Sequence, residues 1–164
     1  MDRSGIPNSL LITKHANVSF TTISDVDELL KCLRPIDIRE IEDVGGRTPR
    51  ENLLLGYLLG EPCLTLRTTK GEMVGILTVV PTAYRAGVIA MVGSSLLEQH
   101  QMAFLRGSKD VLHYLDQHYD LLYNICDYRN TCHHKWLKWL GFTFFRLDKF
   151  KNMKVPVFSF ARFS

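Results

Sequence analysis

Residues 121–142, LLYNICDYRNTCHHKWLKWLGF, bring a carboxylate, two thiols and two imidazoles into one short stretch. Asp127 ends an apolar run of strand type. A carboxylate at the carboxyl end of a parallel strand can act as a general base, or more simply as a loop cap or ion-pair partner. Cys126, Cys132, His133 and His134 are zinc-binding residue types, but their spacing matches no finger or ribbon, so no metal is expected. Asn130 and Thr131 offer short polar side chains that cap the free amides of a helix start. His133, Trp136, Leu137 and Leu140 then fall on one helical face, which places His133 on the buried side. Gly141 supplies the left-handed stop and Phe142 opens a new apolar run. Trp139 serves either packing or a partner surface. Further upstream, Ser94 and Ser95 follow a strand and fit either a phosphate contact or a turn. Arg146, Lys149, Lys151 and Lys154 read as a solvated basic hairpin tip.

These side chains need a scaffold, and the hydrophobic periods supply one. Asn17–Thr22 is a short strand. Ser24 with Asp27 forms a capping-box pattern ahead of Val26, Leu29, Leu30 and Leu33. Pro35 suits the first turn of a second helix that Gly45 and Gly46 end. Thr48-Pro49-Arg50-Glu51 starts a third, which Gly60 stops. The period then shortens to that of strands: 62–68 and 73–80 about a turn at Thr69-Lys70-Gly71, then 88–92 after Tyr84–Gly87. From about Leu97 to Tyr119 the spacing is helical again, and the strand 121–127 follows. A last pair of strands covers 143–147 and 155–160. The unit 88–92, 97–119, 121–127 is a crossover, so its two strands should be parallel, and the hairpins around it antiparallel. The fold class is α/β: a central mixed sheet of about six or seven strands, helices on both faces and one parallel β-α-β crossover.

The chain has 164 residues, fitting one domain over 1–164 with residues 1–16 as an N-terminal arm. A net charge of +3 without a concentrated basic run gives no footprint for nucleic acid. No apolar run approaches the ~20 residues that span a bilayer. Four cysteines without framework spacing point to a reducing, cytoplasmic setting.

The element order resembles the GNAT acetyltransferase fold. That family's segment Asn-x-x-Ala-x-x-x-Tyr-x-x-x-Gly-Phe is matched here at Asn130, Gly141 and Phe142. A closer resemblance covers RGSKDVLHYLDQHYDLLYNICDYRNTCHHKWLKWLGFTF, which looks like the C-terminal half of the internal virion protein A family of short-tailed phages. Tyr123-Asn124 and Asn130-Thr131-Cys132-His133 carry it. The phage resemblance implies a virion-morphogenesis protein in the host cytoplasm, associated with the virion or assisting its assembly, with phage or host proteins as partners. The GNAT resemblance implies an alternative, an N-acetyltransferase using acetyl-CoA to modify an amine on a host or phage protein. Met91, Gly93, Ser94 and Asn130 would then contact the coenzyme. Three departures accompany the match. The turn that cradles the coenzyme pyrophosphate in the family, (Gln/Arg)-x-x-Gly-x-(Gly/Ala), is here Gly93-Ser94-Ser95-Leu96-Leu97-Glu98-Gln99-His100, with one glycine and an acid. The family's proton-donating tyrosine corresponds to Leu137. Strand 88–92 has no carboxylate or histidine.

Overall fold

The computed structural model describes residues 11–12 and 16–164. In chain order the elements are β1 (Leu11–Ile12), β2 (Asn17–Phe20), α1 (Ile23–Leu30), α2 (Pro35–Asp43), α3 (Pro49–Leu59), β3 (Cys63–Arg67), β4 (Met73–Ala83) and β5 (Ala86–Gly93). There follow α4 (Leu96–Gln99), α5 (Gln101–Asp116), β6 (Leu121–Asp127), α6 (Thr131–Trp139), β7 (Thr143–Asp148) and β8 (Val157–Phe163). The seven expected strands are β2–β8. The expected arm lies outside the described residues except at Ala16 and at Leu11–Ile12, which pairs with β2 as a further strand.

Local chemistry explains the helix ends. Thr48 and Glu51 form the anticipated capping box, each side chain meeting the other's backbone amide. The box that opens α1 is Thr22 with Asp25, two residues before the expected Ser24 and Asp27. Thr22 wins because it keeps an extended backbone, while Ser24 already lies within the helix. Asn130 caps α6 by accepting from the His133 amide at 3.3 Å, and Gly141 leaves the helix at φ +90. The long helix expected over 97–119 is two helices. His100 breaks it at φ −119, ψ 36, outside helical geometry.

The strands form one sheet in the order β1-β2-β3-β4-β5-β6-β8-β7. Every pairing is antiparallel except β5 with β6, the crossover around α5. β8 enters between β6 and β7, so β6 is paired along Leu121–Asp127 by the strand furthest along the chain. Alternating residues send the sheet's apolar side chains to two faces. On one, Leu77, Val79 and Leu122 pack beneath Phe104, Val111, Leu115, Trp136 and Leu137 of α5 and α6. On the other, Ile76 and Val92 meet Val26, Leu29, Ile41 and Leu53 of α1, α2 and α3.

Candidate active-site cleft

The parallel pairing of β5 and β6 lasts for three residue pairs, Ala86 with Leu121, Gly87 with Leu122 and Val88 with Tyr123. Beyond them the strands part. Each limb stays paired on its outer side, β5 with β4 up to Gly93 and β6 with β8 up to Asp127. Asn124 marks the fork: its Nδ2 donates to the Ile89 carbonyl at 2.8 Å, and its Oδ1 accepts from the Ile125 amide at 2.8 Å. The opened V is a cavity of about 570 Å³, within the size range of small-molecule sites. Met91, Leu97, Phe104, Leu137 and Leu140 give it apolar walls.

One carboxylate enters this cavity without a cation. Glu40, on α2, accepts from the Asp127 amide at 2.9 Å through Oε1 and from Asn130 Nδ2 at 2.9 Å through Oε2. Both donors are neutral, and among the described residues no lysine or arginine pairs with it. Burial pushes the Glu40 carboxyl above its usual range, Asn130 and the Asp127 amide pull it back, and the Asp37 and Asp127 charges push again. A buried carboxylate that no cation neutralises is chemically suited to accept a proton. Nothing in the local sequence of α2 marks Glu40. Its partners lie 87 and 90 residues away.

Asp127 occupies a different environment. Its side chain is fully buried and its oxygens are taken by Arg129: the backbone amide at 2.8 Å, Nε at 3.0 Å and a terminal nitrogen at 2.5 Å. Arg129 continues to Asp43 at 2.8 Å. The Asp127 carbonyl meets His134 Nε2 at 2.8 Å. What Asp127 sends toward the cleft is its amide, to Glu40.

Asn130 is both a cap and a second-layer contact, bonded to Glu40. Met91 is half-buried and lines the cavity. Gly93 abuts Leu97 so closely that a Cβ there would lie 2.0 Å from Leu97 Cδ1. Its amide donates to Asp37 Oδ2 at 2.8 Å. Ser94 is buried, with Oγ donating to the Met73 carbonyl at 2.7 Å and its amide to the Val74 carbonyl at 2.9 Å. Leu137, where the sequence resemblance implies a tyrosine, lines the cavity. Arg34 closes one side: its buried guanidinium grips Asp37 at 3.0 and 2.8 Å, lies 5.3 Å from the Trp136 ring centroid, and reaches Glu98 at 3.4 Å.

His133 lines the cavity, and its Nδ1 is buried with no hydrogen-bond partner among the described residues. Burial, aided by the positive charge of Arg34, holds the imidazole down to about 4, so it is neutral at pH 7. Cys126 is fully buried and its thiol is pushed up by burial. No group of three or more His, Cys, Asp or Glu among the described residues is arranged to hold a metal. No helix there is long and apolar enough to cross a membrane.

No family model matches the sequence, and no curated protein matches it. Solved structures do. A GNAT-family acetyltransferase from Bacillus anthracis superposes with a TM-score of 0.70 at 10% identity, over 93% of this chain and 96% of that one. RimL, a ribosomal L7/L12 α-N-protein acetyltransferase in complex with coenzyme A, gives 0.68 at 13% identity over 94% and 97%. The microcin C7 self-immunity acetyltransferase MccE, in complex with acetyl-CoA and AMP, gives 0.68 at 8% identity over 99% and 100%. The chain therefore has the GNAT acetyltransferase fold.

Proposed function

We propose that this chain is an acyltransferase, moving an acyl group from a pantetheine thioester, acetyl-CoA being the simplest, to an amine. The observation that carries the reading is the open cleft between β5 and β6 with the unpaired Glu40 carboxylate in it. The cleft suits a pantetheine arm: Met91, Phe104 and Leu137 give it apolar walls, beside the limb of β5 that β6 no longer pairs. The thioester supplies the activated acyl carbonyl when bound. Glu40 takes the proton that the amine releases as its nitrogen attacks. Asn130 and the Asp127 amide fix the carboxylate's direction, and the low-dielectric walls raise its affinity for that proton. Leu137 donates none, which leaves the departing sulfur to be protonated from water.

Calorimetric titration with acetyl-CoA, with coenzyme A as control, tests the reading. Binding in the micromolar range, about −7 to −8 kcal/mol, is expected. Glu40→Gln should keep that binding while losing transfer by about a hundredfold or more. No heat with acetyl-CoA or with any other pantetheine thioester would sink it.

A second reading follows the phage resemblance: a virion-morphogenesis protein working in the host cytoplasm through contacts with phage or host proteins. It is favoured by the apolar side chains Phe145, Leu147, Phe150 and Phe163 exposed around the β7 edge of the sheet. Failure of every thioester to bind, together with recovery of the protein from purified virions, would select it.

A further inference from the structure

The turn after β5, where a nucleotide diphosphate would be gripped, has spent most of its donors. Gly93 donates to Asp37 and Ser94 to Val74, as described above. The Leu96 amide donates to Ser94 Oγ at 3.3 Å. Leu97, Glu98, Gln99 and His100 donate to the Ser94, Ser95 and Leu96 carbonyls, closing the single turn of α4. Recruiting any of these amides to a phosphate breaks an existing hydrogen bond. Glu98 adds a negative charge at the same turn, and the nearby cation, Arg34, is already committed to Asp37. The uncapped start of α5 is an alternative anion grip.

The surface beside the cleft has the opposite character. α5 and α6 touch through Phe104 and Trp136, with ring centroids 5.2 Å apart. On their outer side Trp139 is 44% exposed, and Lys109 Nζ sits 4.2 Å from its ring centroid. Arg106, one turn before Lys109, and Lys135, one turn before Trp139, are exposed as well. A tryptophan under one lysine, with Arg106 and Lys135 on the same two helices outnumbering the exposed Asp110, complements an acidic protein surface.

We propose that the donor is an acyl-pantetheine thioester borne on an acidic carrier protein. Its arm lies in the cleft and its carrier docks on Trp139, Lys109 and their neighbours, with the turn after β5 giving no grip on a nucleotide diphosphate. This rests on the acyl-transfer reading above and adds the donor class to it. Acetyl-CoA binds by its arm alone, so its nucleotide contributes nothing.

The test is calorimetry on the full chain with three probes: S-acetyl-pantetheine, acetyl-CoA, and an acidic acyl carrier protein bearing an acetylated phosphopantetheine arm. Acetyl-CoA should bind within about threefold of S-acetyl-pantetheine, and the loaded carrier about tenfold tighter than either. Lys109→Glu should abolish the carrier's advantage and leave S-acetyl-pantetheine unchanged. Trp139→Ala should do the same, with Trp139→Phe as the variant that keeps the packing. Acetyl-CoA binding about thirtyfold tighter than S-acetyl-pantetheine would overturn the proposal and assign the diphosphate to the start of α5. A carrier no tighter than the free arm would overturn the docking surface. Silence from all three probes would sink acyl transfer itself.

Discussion

Asn130 holds Glu40 in place across 90 residues of sequence, its Nδ2 donating to Glu40 Oε2 at 2.9 Å while its Oδ1 caps α6. Asn130→Ala removes both bonds. Loss of the cap should cost about 1 kcal/mol in urea unfolding. Loss of a donor to the charged carboxylate should raise Glu40's proton affinity further, moving the pH profile of transfer upward. Asn130→Asp keeps a cap but sets a second carboxylate against Glu40. It should move the profile further than alanine does, with a smaller stability loss.

Transfer itself should depend on pH through Glu40. Only the ionised form accepts a proton, and burial raises the carboxyl above its usual range. The rate should therefore rise with pH, with its midpoint above the ordinary glutamate value of about 4.3. Measuring kcat/KM against pH for the protein and for Glu40→Gln checks this. A profile that keeps the same lower limb in the variant would assign the proton to another group.

His133 links stability to pH with a definite sign. Its folded value is depressed to about 4, below the ordinary value of 6.5. Between those values the unfolded chain binds the extra proton, so stability is complete above pH 6.5 and lost as pH falls toward 4. Urea unfolding should show about 2 kcal/mol less stability at pH 5 than at pH 7.5 from this residue alone. His133→Phe, which cannot titrate, should remove that part of the slope.

Arg34 and Asp37 form a buried pair, and breaking one side strands the other. Arg34→Met should destabilise by about 3 kcal/mol or more, because Asp37 then keeps an uncompensated charge. The double change Arg34→Met with Asp37→Leu should recover much of that loss. Glu98→Gln, at the exposed end of the same network, should shift stability by no more than about 0.5 kcal/mol.

Much of the scaffold was legible because its signals are local. The Thr48–Glu51 box, the proline at the head of α2, the Asn130 cap and the Gly141 stop each act within one helical turn, and each stands where spacing placed it. The misplaced box at Thr22 and the break at His100 are failures of the same kind of reasoning at closer range. Several short polar residues compete at the head of α1, and a helical period runs on through a residue whose backbone leaves the helix. The site was less legible. The sequence pointed to Asp127, Met91, Gly93, Ser94 and Asn130, all in or beside the strands that fork. Glu40 comes from a helix on the other face and meets the fork only through long-range packing. Nor could spacing show that Arg129 would occupy Asp127, since that depends on how a two-residue turn folds back.

The three-pair seam between β5 and β6 has a mechanical consequence. It leaves two leaves of the sheet, β1–β5 and β6–β8, joined by a backbone ladder only three residue pairs long. A molecule lying between the leaves is a splint. Filling the gap should slow amide exchange along Ile125–Asp127, the limb that borders it, and at their partners in β8. The melting temperature should rise with its concentration. The short ladder that opens room for a ligand thus makes the ligand part of what holds the two leaves together.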